Sequence, residues 1–185
     1  LNGSFGSGIY VDDAGFLLNN ELDDFSIQAG TPNAYGLVGS KANQLAPGRR
    51  PLSSMCPVIV KRDSGEVVLV LGSPGGPRII TAVIQVLLRV LVYDQTLTEA
   101  VRAPRIHQQW RPIETRMEAG WDPSYSKWLQ DAHAQPMLPP DGRVFGSVQA
   151  IRVHRDGAVE AFTDPRRGGS GGLAGHDIAK PAQPK

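Results

Sequence analysis

The chain has 185 residues, 41% of them hydrophobic and 20% charged, which is enough apolar sequence to bury one sizeable core. Its 19 lysines and arginines nearly cancel its 18 aspartates and glutamates, so nucleic acid is not expected as a partner. The single cysteine, Cys56, can neither close a disulfide within the chain nor complete a structural zinc site.

The start of the sequence indicates that this chain is a piece of a longer precursor. Residue 1 is a leucine, and no charged segment leads into an apolar one, so any targeting signal is expected upstream. The most apolar stretch, residues 79–93, carries Arg89 in its interior. It is also shorter than the roughly 20 residues that a bilayer span needs. It is interpreted as a buried helix, and no transmembrane segment is predicted.

Short strands and one long loop make up the predicted first part of the chain. Residues 9–12 and 16–19 flank a turn with a glycine and are typical of strands. Residues 28–51 are polar, with several glycines and prolines, and a loop of this length is usually a binding loop or a lid. Residues 58–62 and 66–71 are rich in β-branched residues and predict a hairpin.

Three helices are predicted in the middle of the chain. Residues 78–93 have apolar side chains on every side of a helical wheel, as in a helix packed between a sheet and other protein. Residues 96–102 have the pattern of a short capped helix that ends before Pro104. Residues 122–132 begin with an aspartate as the cap and a proline at the first helical position.

The end of the chain combines a second hairpin with a tail. Residues 147–154 and 158–162 flank a short turn with a glycine and are predicted as paired strands. Residues 166–185 are rich in Gly, Ser, Ala, Pro and Lys, so they bury little apolar surface and predict a flexible tail. Hairpins with helices against them indicate one α+β domain over residues 1–165.

The stretch LVLGSPGGPRII runs from a predicted strand into a predicted helix through two adjacent glycines. It lacks the Lys and Ser or Thr of a Walker loop, and the G-x-G-x-x-G dinucleotide pattern does not fit it. Gly75 and Gly76 have no side chains to block an approaching group, and their amides precede a helix, where negative charge is favoured. The stretch is therefore either an oxyanion hole or a tight turn that lets strand and helix pack closely.

Two adjacent serines, Ser53 and Ser54, precede the predicted strand at residues 58–62. Their hydroxyls can donate hydrogen bonds to a carboxylate, or they can cap a turn. Neither serine lies in the strand-to-helix elbow of a nucleophilic serine, so neither is predicted as a nucleophile.

Three carboxylates, Glu21, Asp23 and Asp24, lie close together in NNELDDFS with no basic residue nearby in sequence. Carboxylates at this density repel one another and are favoured where they receive a cation, such as a metal, an arginine or a substrate ammonium. The stretch lacks the alternating oxygen ligands and the later Glu of a calcium loop. A cation-binding site and a solvated acidic turn both stay open.

The four histidines predict no metal site. They are scattered, with no pair at i and i+4 and no cysteine at ligand spacing. His107, in RIHQQW, is interpreted as a packed or hydrogen-bonded structural residue.

Six stretches resemble, in their order and approximate spacing, the small subunit of γ-glutamyltranspeptidases. They are LNGSFGSG, GFLLNNELDDFS, PNAYGLVG, RPLSSMCPVIV, LGSPGGPRIITAVIQ and APRIHQQW, which together cover roughly residues 1–165. Members of this family are N-terminal-nucleophile hydrolases. Their precursor cleaves itself and exposes a Thr that attacks the γ-amide of glutathione and similar compounds.

The resemblance implies how a γ-glutamyl group would be bound. Asn2, Glu21 and Asp24 match the positions that hold its α-ammonium. Ser53 and Ser54 match the pair that hydrogen-bonds its α-carboxylate.

The resemblance also implies a catalytic turn and a lid. Gly75 and Gly76 match the oxyanion hole, and Tyr35 matches a residue of the loop that some members close over the pocket. Pro77 stands where many relatives have a small polar residue, which can shift the entry of the following helix. Cys56 stands where Ser is frequent.

The implied fold is the four-layer αββα sandwich, an α+β architecture that this chain forms together with a large subunit from the same precursor. The implied reaction passes the γ-glutamyl group, through a covalent ester, to water or to an amino acid or peptide acceptor, without a cofactor. In relatives the nucleophilic Thr and a helper Thr lie upstream of Asn2, and an Arg for the substrate carboxylate lies in the large subunit. Relatives are usually exported, so a periplasmic, extracellular or cell-surface location is expected.

Two other functions stay open. An acylase of the same fold would act on glutaryl side chains, which lack the α-ammonium, so Glu21 and Asp24 argue against it. A non-catalytic homologue would keep the fold without the nucleophile, and the residues that precede Leu1 would identify it.

Overall fold

The computed structural model of the chain describes residues 5–133, 137–138 and 141–174. Its strands and α-helices follow in this order: β1 (Tyr10–Val11), β2 (Phe16–Leu17), β3 (Val58–Lys61), β4 (Val67–Gly72), α1 (Arg78–Leu91), α2 (Leu97–Arg102), β5 (Ile106–Gln109), β6 (Glu114–Met117), α3 (Pro123–His133), β7 (Met137–Leu138), β8 (Gln149–Val153), β9 (Val159–Thr163) and β10 (Gly172–Ala174). Short 3₁₀ turns lie at Glu21–Asp24, Lys41–Asn43 and Pro165–Arg167. This mixture of helices and sheets confirms the predicted α+β class.

The larger sheet is antiparallel, with strand order β10-β9-β8-β4-β3. The hairpins predicted from the sequence are β3-β4 and β8-β9, and the structure joins them by pairing β4 with β8. A second sheet has the order β5-β6-β7, and its β6 and β7 are parallel. The predicted first two strands are present as the shorter pair β1 and β2.

The β5-β6 hairpin has no counterpart among the predicted elements. Strand β5 reads Ile-His-Gln-Gln, so it lacks the alternation of apolar and polar residues that marks a half-buried strand. His107 is nevertheless buried, whereas its neighbour Gln108 is exposed. A polar side chain is buried here because other elements supply its hydrogen-bond partners, which no local pattern reveals.

Helix α1 forms the centre of the core. It begins at Arg78, as predicted, and directly follows Pro77, whose φ of −62° and ψ of −19° are helical. Pro77 therefore does not shift the start of the helix from its predicted residue. Its buried side chains are Ile79, Ala82, Val83, Val86 and Val90. They pack with apolar residues of β4, α2 and β8, and each fully buried valine or isoleucine contributes ~1.5–3 kcal/mol.

Polar caps set the starts of the two other helices. Thr96 Oγ1 accepts from the Glu99 amide at 3.2 Å, and the Glu99 carboxylate accepts from the Thr96 amide at 2.9 Å. This capping box confirms the predicted helix over residues 96–102. Asp122 Oδ1 accepts from the Ser124 amide at 2.8 Å at the start of α3, also as predicted. No helix in the described part of the chain is long and apolar enough to cross a membrane.

Residues 166–174 differ from the predicted flexible tail. Gly172–Ala174 is β10, which pairs with β9 at the edge of the larger sheet. The side chain of Arg166 is nearly buried and forms ion pairs with Glu118 and Asp164. The composition of the segment concealed this role, because hydrogen-bond partners as far as 65 residues away leave no local pattern.

A buried ion pair connects Asp164, directly after β9, with Arg105, directly before β5. Arg105 Nη2 donates to Asp164 Oδ2 at 2.6 Å, and both side chains are fully buried. Arg105 also donates to the carbonyl of Phe145 at 2.8 Å. Burial acts to raise the pKa of Asp164, but the amide of Arg166 and the charge of Arg105 act against it, and the pKa is lowered overall.

Candidate active site

The turn between β4 and α1 requires glycine at two positions. Gly75 has a φ of +142° and Gly76 a φ of +58°, which residues with side chains rarely adopt. Among the described residues, no acceptor takes a hydrogen bond from the amide of Gly75 or Gly76. Both amides precede α1, whose N-terminal partial charge favours an anion. The turn can therefore offer two N–H groups to an oxyanion.

The loop before β8 supports this turn from behind. Ser73 Oγ accepts from the amide of Ser147 at 2.8 Å and donates to the carbonyl of Pro74 at 2.8 Å. A Cβ on Gly75 would lie only 3.3 Å from the Cα of Gly146. The conformation of the turn thus depends on a segment more than 70 residues further along the chain.

A cavity of about 380 Å³ opens beside the turn. Four of the predicted site residues line it: Asp24, Tyr35, Ser54 and Gly76. Phe25, Leu37 and Leu52 supply apolar parts of the same wall. The structure therefore brings the acidic segment, the long loop, the serine segment and the glycine turn to one place, as the resemblance implies.

The two serines of the predicted pair lie in different environments. Ser54 is half-buried and lines the cavity. Ser53 is exposed and is not among the lining residues, and its Oγ accepts from the amide of Met55 at 3.2 Å. Ser53 is thus in the turn-capping arrangement that the sequence had left open as the alternative.

Among the described residues, Glu21 and Gly75 were also predicted for the site and are not among those that line this cavity. Asn2 lies outside the described residues. Glu21 is half-buried and begins the 3₁₀ turn that ends at Asp24. Gly75 adjoins the cavity-lining Gly76 on the side of the turn that faces Gly146, where an added Cβ would lie 3.3 Å from the Gly146 Cα.

Tyr35 lies on the long loop that was predicted as a binding loop, and its ring covers Gly76. A Cβ on Gly76 would lie 2.6 Å from Cζ of this ring. Asn33 shapes the loop here, because its Oδ1 accepts from the amides of Tyr35 and Leu37 at 2.9 and 3.0 Å. Gln109 Nε2 donates to the Tyr35 carbonyl at 2.9 Å. The position of Tyr35 is thus set both by its own turn and by β5.

A series of hydrogen bonds continues from Gln109 to α1. Gln109 Oε1 lies 2.9 Å from His107 Nε2, and His107 Nδ1 lies 2.8 Å from Thr81 Oγ1. Burial lowers the pKa of His107, although its hydrogen bond to Gln109 acts in the opposite direction. The ring is therefore neutral at pH 7, donates from Nε2 to Gln109 and accepts from the Thr81 hydroxyl. His107 is a hydrogen-bonded structural residue, as interpreted from the sequence.

Sequence reasoning missed Asn43, which joins two walls of the cavity. Its Nδ2 donates to the carbonyl of Asp24 at 2.7 Å, and its Oδ1 accepts from the amide of Leu52 at 2.9 Å. Its own carbonyl accepts from the amide of Ser26 at 2.9 Å. Asparagine is common in turns, so nothing in the sequence around Asn43 distinguishes a residue that links two distant segments.

Known proteins match the chain over nearly its whole length. Residues 1–174 match the family model described as gamma-glutamyltranspeptidase. The chain is 47% identical over 166 residues to a glutathione hydrolase proenzyme of Escherichia coli (strain K12), which covers 90% of this chain and 28% of that protein. It is 47% identical over 173 residues to a glutathione hydrolase proenzyme of Pseudomonas aeruginosa, at 92% and 30% coverage.

A solved structure shows the same fold. The structure of a highly active mutant of γ-glutamyltranspeptidase from Pseudomonas nitroreducens superposes with a TM-score of 0.81 at 44% identity. It covers 97% of this chain and 90% of that chain. The chain spans less than a third of the length of the two curated relatives. These matches confirm the predicted N-terminal-nucleophile hydrolase fold, and the chain belongs to the γ-glutamyltranspeptidase family.

Proposed function

We propose that this chain is the small subunit of a γ-glutamyltransferase that also hydrolyses glutathione, completed by a large subunit from the same precursor. The observation that carries the proposal is that Asp24, Tyr35, Ser54 and Gly76 line one cavity beside two glycine amides. The family match over residues 1–174 and the proenzyme names of the relatives support the same function.

Recognition would use the two charges on the α-carbon of a γ-glutamyl group. Asp24 attracts the ammonium, and Ser54 donates a hydrogen bond to the carboxylate. The roles of Asn2 and Glu21 at the ammonium and of Ser53 at the carboxylate are proposed from the resemblance alone. A compound that lacks either charge leaves a polar group of the site without a partner, so the site disfavours it.

The proposed reaction is an acyl transfer in two steps. A Thr hydroxyl, from outside these residues, attacks the γ-amide carbon, and its proton passes through the free α-amine of that Thr to the leaving nitrogen as the C–N bond breaks. Water or an acceptor amine then attacks the ester carbon and gives a proton to the α-amine of the Thr, the C–O bond to Thr breaks, and that proton passes to the Thr oxygen. In both steps the carbonyl oxygen becomes negative, and the amides of Gly75 and Gly76 donate to it. No cofactor takes part.

The cellular location of the protein is proposed from its family. Since relatives of this family are usually exported, we place the two-chain protein in the periplasm, at the cell surface or in the medium. Fractionation of cells that produce it, followed by detection of the small subunit, tests this directly.

The activity is tested on the two-chain protein produced from its precursor. We expect release of p-nitroaniline from γ-glutamyl-p-nitroanilide, faster release with glycylglycine, and a γ-glutamyl dipeptide detected by mass spectrometry. Glutaryl-p-nitroanilide is the comparison, because it lacks only the α-ammonium. The Asp24→Asn variant removes the charge that attracts this ammonium, and Asp13→Asn, in the exposed β1-β2 turn, is the matched control.

The ratio of kcat/KM for the γ-glutamyl anilide to kcat/KM for the glutaryl anilide distinguishes the proposed function from an acylase. Asp24→Asn is expected to lower kcat/KM for the γ-glutamyl anilide by about 100-fold and to change glutaryl hydrolysis much less, as for loss of a charged hydrogen-bond partner. Asp13→Asn should behave like the unaltered protein. Faster release from the glutaryl anilide would show an acylase, and no release from either substrate by the mature protein would refute the proposal.

A further inference from the structure

Four arginines lie at the C-terminal end of α2. They are Arg89, Arg102, Arg105 and Arg166. Arg105 and Arg166 donate to the carbonyl of Val101 at 2.9 and 3.0 Å, and Arg89, from α1, donates to the carbonyl of Pro104 at 2.7 Å. Arg102 is itself the last residue of the helix. Because the other arginines already bind the carbonyl groups at this helix end, Arg102 is not required to cap them.

Two carboxylates, Glu118 and Asp164, pair with two of these arginines. Asp164 lies 2.6 Å from Arg105 and 3.1 Å from Arg166, and Arg166 Nε donates to Glu118 at 2.9 Å. The two other arginines have no carboxylate within ion-pair distance among the described residues. Four positive charges therefore meet two negative ones, which leaves an excess of two positive charges.

Burial makes this excess of positive charge unfavourable. The side chain of Arg105 is fully buried, and its Nε has no hydrogen-bond partner in the described part of the chain. Burial lowers the pKa of Arg89, and the charges of Arg105 and Arg166 lower it further. Burial also lowers the pKa of Arg105, although the charge of Asp164 acts in the opposite direction. An anion near this helix end would therefore be attracted by uncompensated charge.

A second cavity, of about 340 Å³, opens at this end of α2. Arg102, Arg143 and Arg166 line it, and among the described residues Glu118 is the one carboxylate of the lining. None of its described lining residues lines the first cavity, beside Gly76. It is several times larger than the roughly 30 Å³ that a water molecule takes up in the liquid, so it has room for a hydrated anion.

Two of the lining arginines have N–H groups to offer. The guanidinium of Arg166 already donates to two carboxylates and two carbonyls, so it contributes only its charge. Arg102 has no hydrogen-bond acceptor in the part of the chain that the structure describes, and its Cζ lies 5.6 Å from the centre of the Phe162 ring. Arg143 Nε lies 3.0 Å from Asp141 Oδ2, which leaves its terminal N–H groups for another acceptor.

We propose that the second cavity binds a doubly charged oxyanion, a phosphate or sulfate group, with Arg102 and Arg143 as its hydrogen-bond donors. Two negative charges balance the excess of two positive charges at the end of α2. A guanidinium also presents pairs of parallel N–H groups, which match two oxygens of such an anion.

The buried charges connect this site with the segment behind the glycine turn. The carbonyl of Phe145 accepts from Arg105 at 2.8 Å, and its amide donates to Glu118 at 2.7 Å. Gly146, the next residue, lies against Gly75. An anion that balances the arginines therefore stabilises the folded chain and does not touch the substrate.

The test measures binding of inorganic phosphate and sulfate to the protein produced from its full-length precursor. Isothermal titration calorimetry gives the dissociation constant, with the ionic strength kept constant by sodium chloride. We expect one saturable site per small subunit with a Kd of about 1 mM or lower. Acetate carries a single charge, so it should bind at least about tenfold more weakly.

Variants of exposed residues locate the site. Arg102→Gln should raise the Kd for phosphate at least about tenfold, and Arg102→Lys, which keeps the charge without the planar fork, should raise it less. Arg143→Gln should also raise it. Arg155→Gln, in the exposed β8-β9 turn, is the matched control and should leave it unchanged. Phosphate well above its Kd should raise the unfolding temperature of the unaltered protein and of the control, but not of Arg102→Gln.

Glycerol 3-phosphate distinguishes a free ion from a phosphate group on a larger molecule. Tighter binding than inorganic phosphate would show that the apolar lining, such as Val144 and Pro165, contacts an organic part, and equal or weaker binding would show a free ion. Both results support the proposal if they depend on Arg102.

Two results would overturn the proposal. One is phosphate binding that Arg102→Gln retains in full, because the anion would then bind elsewhere. The other is the absence of saturable binding in the millimolar range, which would mean that the large subunit balances the charge. No substrate is used, so failure of the proposed function would leave these measurements unaffected.

Discussion

The amide nitrogen of Gln109 donates a hydrogen bond to the carbonyl oxygen of Tyr35 at 2.9 Å, across 74 residues of sequence. The same nitrogen donates to the carbonyl of Arg111 at 2.9 Å, so one side chain fixes both the loop and the hairpin tip beside it. A Cβ on Gly36, the residue after Tyr35, would lie 3.1 Å from Cδ of Pro112, which shows how closely loop and tip pack. Tyr35, whose ring covers Gly76, is thus positioned by Gln109 of β5 in the second sheet.

The Gln109→Leu variant should weaken substrate binding. It removes three hydrogen bonds, to the carbonyls of Tyr35 and Arg111 and to His107 Nε2, each contributing about 1 kcal/mol, and leaves the Tyr35 carbonyl without this donor. We expect KM for γ-glutamyl-p-nitroanilide to rise about tenfold and kcat to change less, measured by steady-state kinetics. Gln108→Leu, on the exposed side of the same strand, is the control. An unchanged KM in Gln109→Leu would mean that this bond does not position the loop for binding.

The Gly76→Ala variant should nearly abolish activity. Its Cβ would lie 2.6 Å from the Tyr35 ring, at a φ of +58°, so either the ring or the turn must move. Displacing an oxyanion donor costs a factor of about 100 to 1,000 in kcat. Gly157→Ala is the matched control, because it also has a positive φ, +85°, with nothing within 4 Å of the added Cβ. Equal activities of the two variants would contradict a catalytic role of the turn.

The Asn43→Ala variant should loosen the first cavity. It leaves the carbonyl of Asp24 and the amide of Leu52 without their bonds of 2.7 and 2.9 Å. We expect a loss of about 1–3 kcal/mol in the free energy of unfolding, together with a higher KM for γ-glutamyl-p-nitroanilide. Lys41→Ala, on the same 3₁₀ turn and exposed, controls for a change in the turn itself. A stability loss without a change in KM would show that Asn43 does not position the cavity walls.

The Asp164→Asn variant should destabilise the protein strongly. It leaves the fully buried Arg105 without its counter-charge, which costs about 3–5 kcal/mol in the free energy of unfolding. Because the pKa of Asp164 is lowered from its ordinary value of 3.8, the stability it contributes is present above pH 3.8 and is lost as the pH falls below it. Denaturant unfolding at neutral pH measures the loss, and Asp63→Asn, exposed in the β3-β4 turn, should change it by less than about 0.5 kcal/mol.

The protonation of His107 should make stability depend on pH. Since burial lowers its pKa below the ordinary value of 6.5, the folded protein binds this proton more weakly than the unfolded chain. The stability that neutral His107 contributes is therefore complete above pH 6.5 and decreases as the pH falls below it. We expect the difference in unfolding free energy between the unaltered protein and His107→Gln to shrink between pH 7 and pH 5. A difference that grows on acidification would contradict a neutral buried ring.

Local signals in the sequence were enough for much of the fold. The start of α1 at Arg78 follows from the apolar pattern after two glycines and a proline, and the capping box at Thr96 and Glu99 marks α2. The hairpins β3-β4 and β8-β9 follow from β-branched runs around glycine turns. These features depend on residues within a few positions of one another, which is why one sequence reveals them.

The resemblance identified the segments of the site, and the tertiary structure decided how they meet. It placed Ser54 in the cavity and turned Ser53 towards the amide of Met55, although the two serines are adjacent in sequence. It also recruited Asn43 and Gln109, which have no distinctive local pattern.

For the charged residues, too, the tertiary structure decided what the local sequence did not indicate. Arg166 was predicted in a tail by the composition around it, yet it forms ion pairs with Glu118 and Asp164, and Arg105 pairs with Asp164 across 59 residues. Periodicity and composition describe what a segment prefers by itself. The partner of a buried polar group is set by which segments pack together, and only the folded chain determines that.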